Sequence, residues 1–103
     1  MNLTILLTTV AKKSDALRLA QAALESRTAA CVQILPKIES HYVWKGRKNI
    51  SREFVLMAKT IPTQRKALEK LWKKLHPYDC PELLSLSAKS AAEYGRWVRS
   101  CVR

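Results

Sequence analysis

Residues 40–59 read SHYVWKGRKNISREFVLMAK. Two β-like runs flank a polar connection, Lys45–Asn49, with a glycine at its second place, which is hairpin chemistry. Along Ser40–Trp44, Tyr42 and Trp44 share one face; along Glu53–Lys59, Phe54, Leu56 and Ala58 share one side. Upstream lies another β-like run, Ala30–Leu35, ended by Pro36. A proline inside one long strand calls for a bend or bulge at that point. The hairpin over residues 30–60 is therefore the longest unit in the chain, and the remaining elements are read around it.

Before it, Leu3–Thr9 suits a mostly buried strand. Ser14 is placed to cap a helix whose first turn holds Asp15, with Leu17, Ala20 and Leu24 recurring at helical spacing to about Arg27. After the hairpin, Pro62 is tolerated at a helix start. Leu68, Leu71, Trp72 and Leu75 then repeat at i, i+3, i+4, i+7, with Arg65, Lys66, Lys70, Lys73 and Lys74 mostly opposite. Pro77 stops this helix, and Leu83–Ser87 reads as a short strand. Ser90-Ala91-Ala92-Glu93 is a capping-box sequence. Tyr94, Trp97, Val98 and Cys101 follow at helical spacing, and Gly95 weakens that helix by about 1 kcal/mol relative to alanine. The order is that of an α+β, ferredoxin-like βαββαβ domain spanning residues 1–103, with a four-stranded antiparallel sheet and an extra C-terminal helix.

Bulk properties bound the function. The 103 residues are 48% hydrophobic, enough for one modest core. A chain of this size buries only about 60–70% of its unfolded surface, so association would stabilise it. The hairpin tip projects beyond its shorter neighbours, and its unpaired edges invite another chain. A closed homo-oligomer pairing through strand edges is expected. The apolar run Leu3–Leu7 is too short to span a bilayer and has no charged segment before it, so neither a membrane partner nor a signal peptide is expected. Three scattered cysteines, Cys31, Cys80 and Cys101, point to a reducing cytoplasm. Nineteen Lys and Arg against eight Asp and Glu give a net charge of +11. That charge predicts nonspecific nucleic-acid association at low salt only. The aromatic pair by which a four-stranded sheet stacks bases does not follow Lys45-Gly46-Arg47.

Several segments carry a resemblance: Thr8-Thr9, Ala29-Ala30-Cys31-Val32, Ser40–Gly46 with its Y-x-W-x-G pattern, Glu53, Lys59-Thr60, His76-Pro77-Tyr78, Pro81-Glu82 and Tyr94/Trp97. In order and spacing the chain resembles the CutA divalent-cation-tolerance family over nearly its whole length. The resemblance implies a ferredoxin-like homotrimer, related in fold to the PII signalling proteins and linked to tolerance of copper or other divalent metals. Members proposed to bind copper carry a cysteine in the first strand and two histidines before the proline. Thr8 and Leu75-His76 stand at those places here, so of those three proposed ligands only His76 remains.

Around LHPYDCPELLSL, residues 75–86, three chemistries compete. His76 and Cys80, with an oxygen from Glu82, form an incomplete ligand set for a divalent cation such as copper or zinc, and no cofactor is firmly implied. Cys31, His76 and Glu53 would make a nucleophile, base and orienter if they met, but Cys31 lies in an apolar run, so no enzyme is expected. A small-ligand pocket remains. Lys59, beside the helix start at Thr60–Thr63, would pair an anionic small molecule. Cys31, Trp44, Glu53, Lys59, His76, Tyr78 and Trp97 are its candidate residues, which the resemblance places near a cleft between subunits. The prolines make the loop a stiff helix-to-strand connector first and a pocket wall second.

Overall fold

The structure, a computed structural model, describes residues Met1 to Arg103. In chain order the elements are β1 (Asn2–Val10), α1 (Lys13–Glu25), β2 (Cys31–Trp44), β3 (Arg47–Thr60), a 3-10 turn (Pro62–Gln64), α2 (Arg65–Leu75), β4 (Leu84–Lys89) and α3 (Ala92–Cys101). The sheet order is β2-β3-β1-β4, and every neighbouring pair is antiparallel. This is the expected ferredoxin-like α+β arrangement with one added helix.

Side-chain alternation divides the sheet into two unlike faces. Leu6 and Val10 of β1 and Leu56 and Ala58 of β3 point to the helical side. There they meet Ala16, Leu19 and Ala23 of α1 and Leu68 and Trp72 of α2. The Trp72 indole N–H donates to the Leu19 carbonyl at 3.0 Å, fastening α2 to α1. Thr60 is fully buried and satisfies its hydroxyl by donating to the Thr28 carbonyl at 2.6 Å.

The hairpin occupies the expected residues, but its two strands are longer and its turn shorter than the sequence indicates. β2 runs unbroken through Pro36, and the register shifts between Leu35 and Ile38. Pro36 and Lys37 together oppose Phe54, which makes the expected bulge. Proline is tolerated there because β2 is an edge strand. The turn shrinks to Lys45-Gly46, both at positive φ (51° and 76°), the tight turn that matches strand twist. The returning strand consequently starts at Arg47 rather than Glu53. β1 ends at Val10, opposite Phe54, so the ribbon from Ile38 to Glu53 projects past it. A radius of gyration of 14.1 Å, against about 13 Å for a compact chain of this length, reflects that projection.

The helix ends depart from their sequence signals. α1 begins one residue before Ser14, with Lys12 at the cap and no side-chain cap bond, although Asp15 does lie in the first turn. Its buried face is Ala16, Leu19 and Ala23, while Leu17 and Leu24 stay half-exposed. Leu19 is flanked on that face by the two alanines, all three within the core cluster. The Ser90 box does not form either: Ala91 occupies the cap, and the Ser90 hydroxyl is turned to the carbonyls of Met1 and Ala91. Gly95 has a packing reason. A Cβ there would lie 2.5 Å from the Met1 sulfur and 2.7 Å from the Ser90 hydroxyl. α3 lies against the start of β1 only because Gly95 has no side chain, and Tyr94 and Trp97 remain half-exposed.

The face away from α1 and α2 is apolar and half open. Leu84 and Leu86 of β4 stand beside Leu7 and Ile5 of β1, which stand beside Met57 and Lys59 of β3. Leu84 and Leu86 are each more than half exposed. Farther out, Val43 (69%) and Ile50 (65%) are exposed on the projecting ribbon.

Candidate functional site

The bulge in β2 builds the site. Before it, the even-numbered residues Val32 and Ile34 pair with Ala58 and Leu56 on the helical side. The extra residue reverses that phase, so Ile38, Ser40, Tyr42 and Trp44 share the face of Glu53, away from the helices. The loop after α2, stiffened by Pro77 and Pro81, brings Tyr78 to the same place. The Tyr78 hydroxyl donates to Glu53 Oε2 at 2.8 Å. Ser40, Tyr42, Trp44, Glu53 and Tyr78 wall a cavity of about 730 Å³ open to solvent, which Thr9, Asp79, Cys80 and Glu82 also line. The Tyr78 hydroxyl is held well above the ordinary tyrosine range, by burial first and then by its bond to Glu53. It therefore remains a donor throughout the physiological pH range.

His76 sits behind this wall, its ring edge-on to Tyr78 with centroids 4.9 Å apart. Nδ1 accepts from the Tyr78 backbone N–H at 3.1 Å, which places the proton on Nε2. Nε2 then donates to the Thr9 carbonyl at 3.0 Å and lies 2.9 Å from the Thr8 hydroxyl. Both nitrogens are committed to the protein. Burial, only partly offset by the Thr9 hydrogen bond, pushes the imidazole below its ordinary value of 6.5. The unfolded chain therefore binds the proton more readily than the native one, and stability falls as pH drops below about 6.5. Above that value both states are neutral and His76 contributes no slope. Urea midpoints at about pH 7.5 and 5.5 are expected to decline for the native sequence and to decline less for His76→Gln. A native sequence that gains stability toward acid would contradict this.

The other candidates lie elsewhere in the chain. Cys31 and Lys59 face each other across β2 and β3, six residues along β3 from Glu53, or about 20 Å at strand rise. The Lys59 ammonium is hydrogen-bonded to Gln33. Tyr94 lies near Cys31, and Trp97 stacks on Tyr94 with ring centroids 5.7 Å apart. Within one chain, Trp44, Glu53 and Tyr78 line the cavity with His76 behind them, whereas Cys31, Lys59 and Trp97 belong to the opposite end of the sheet. The catalytic triple of Cys31, His76 and Glu53 is accordingly not assembled in the chain. Thr9, Tyr42 and Asp79 were not singled out as cavity residues. For Tyr42 the available signal was the Pro36 bulge, whose phase reversal turns it toward Glu53.

Comparison with known proteins agrees with this architecture. Residues 4–101 match the family described as CutA1 divalent ion tolerance protein. The chain belongs to that family. The divalent-cation tolerance protein CutA of Pectobacterium atrosepticum is 36% identical over 100 residues, covering 96% of this chain and 91% of the relative. Its counterpart from Thermus thermophilus is 38% identical over 96 residues, covering 92% and 93%. The solved structure of CutA from Synechococcus elongatus superposes with a TM-score of 0.93 at 41% identity, covering 99% of this chain and 91% of the other.

Against that family background the metal question becomes a test of donors. Thr8 and His76, which the resemblance aligns with proposed copper ligands, do come together, but they do so in a hydrogen bond to each other. Leu75 supplies no donor atom at all. Nowhere in the chain do three or more His, Cys, Asp or Glu side chains converge to hold a metal ion. Within the single chain this arrangement does not fit a copper or zinc ion, which takes three or four soft or borderline donors.

Proposed function

We propose that this member of the divalent-cation tolerance family works as a cytoplasmic homotrimer that binds a small ligand or relays a signal, without enzymatic chemistry and without carrying copper itself. The commitment of both His76 nitrogens to protein partners is the observation that weighs most against direct copper binding. The walled cavity of about 730 Å³ supports a ligand instead, since that size and its convergent polar groups suit a small molecule.

Assembly is supported by the surfaces a single chain leaves open. Leu84 and Leu86 form an apolar strip, Val43 and Ile50 lie bare on the ribbon, and β2 and β4 present free edges. A monomer would expose an aggregation-prone edge, whereas a closed ring of copies covers it. In such a ring, the Trp44–Glu53–Tyr78 group of one copy and the Cys31–Lys59–Trp97 group of another would share a cleft.

Copper handling tests the proposal directly. Under equilibrium dialysis against copper(II), the native sequence is expected to retain no stoichiometric metal. The variant T8C/L75H restores a thiol and a second imidazole beside His76 and is expected to retain copper. Stoichiometric retention by the native sequence, abolished in His76→Ala, would overturn the proposal.

A further inference from the structure

The charge around the cavity is opposite to that of the molecule. Nineteen Lys and Arg outnumber eight Asp and Glu in the chain, yet three of those eight, Glu53, Asp79 and Glu82, line this one cavity. At the chain's average composition, about two of its eleven lining residues would be Lys or Arg, and none is. Glu53 is only 7% exposed and forms no ion pair in a protein with an excess of cations. Its Oε2 accepts from Tyr78; Oε1 has no hydrogen-bond partner, yet it is not sealed off, since no side-chain oxygen or nitrogen in the protein is both fully buried and unsatisfied. A buried carboxylate with one free oxygen is unfavourable until a donor, best a cation, reaches it.

We infer that this cavity takes an organic ammonium or guanidinium group, bound at Glu53 Oε1 and flanked by Trp44, Tyr42 and Tyr78. The inference rests on reading the cavity as a ligand site and replaces the anion first expected there. An anion would meet three carboxylates. A bare metal ion would find no converging set of ligands and would be far too small for the space. A cation on a carbon frame suits both features, because aromatic faces attract it and a carboxylate accepts its N–H groups. The group has two sources: a free small amine, or a Lys or Arg side chain of a second copy of this chain.

Calorimetry with agmatine, with inorganic phosphate and potassium chloride as controls, separates the cases. With a free amine, agmatine gives saturable heat, phosphate gives none, and Glu53→Gln weakens agmatine binding at least about tenfold. With a second copy as source, agmatine gives no heat, and Glu53→Gln raises the concentration at which the assembly dissociates by at least about tenfold in sedimentation. The double variant D79N/E82Q, altered only at exposed positions, gives the same sign of effect should Glu53→Gln not fold. Phosphate binding without agmatine binding would overturn the inference while leaving a ligand site standing. No binding of either probe, with unaltered assembly in both variants, would overturn the inference and the ligand site together.

Discussion

Trp72→Ala is expected to lower the stability of the fold by about 3–5 kcal/mol, the range for removing a large aromatic from a packed core. Trp72 is fully buried, and it ties α2 to both the sheet and α1: its ring belongs to the core against the sheet while its N–H reaches the Leu19 carbonyl of α1 at 3.0 Å. Trp72 is the largest fully buried side chain, and the rest of its core cluster consists of Leu, Val and Ala, so no comparable side chain can replace its volume. Trp72→Phe keeps most of the volume and loses the hydrogen bond, so a loss of about 1–2 kcal/mol is expected. Urea denaturation at a fixed protein concentration reads both. A loss below about 1 kcal/mol for the alanine variant would mean that this ring does not anchor α2.

The second large effect concerns association rather than folding. The double variant L84K/L86K is expected to convert the proposed oligomer to monomers while the chain still folds. Both leucines lie on one face of the edge strand β4, each more than half exposed in the single chain, so lysine there costs the isolated fold little. Against another copy the same ammonium groups would be desolvated without partners, at several kcal/mol per assembly. The net charge of +11 leaves no surplus of acids to receive them. Circular dichroism and sedimentation together check this: native-like secondary structure with a monomer mass is expected. An unchanged oligomer mass would show that this face is not the contact.

The fold was legible because its strongest signals are long-range in pattern. Leu68, Leu71, Trp72 and Leu75 repeat over two turns, and α2 appears there with Leu68 and Trp72 buried. Pro36 marked the bulge because a proline has few places to go in a strand. Shorter signals misled. Ser14 and Ser90 carried capping chemistry, but caps depend on where the backbone turns, and the Ser90 hydroxyl was drawn to Met1 once Gly95 let α3 approach β1. On α1 the spacing of Leu17, Ala20 and Leu24 suggested the buried face, yet the face that packs is the one carrying Ala16, Leu19 and Ala23.

The site was half legible. Glu53, His76 and Tyr78 stood out as polar residues beside apolar runs, and the chain brings them together. Trp44 joins them because the bulge reverses the strand's phase, a geometric consequence that a list of residue types does not contain. The two ends of β3 hold the two halves of the candidate set, Glu53 at one and Lys59 at the other. A β-strand separates such residues by its own length, and only contact between copies can reunite them.

Native mass spectrometry of the purified protein, with and without added copper and zinc, tests the proposed assembly and its metal independence at once. The expected result is a species of three times 11.7 kDa that gains no stoichiometric metal. A monomer, or a trimer that takes up one or three metal ions and loses them on His76→Ala, would contradict it.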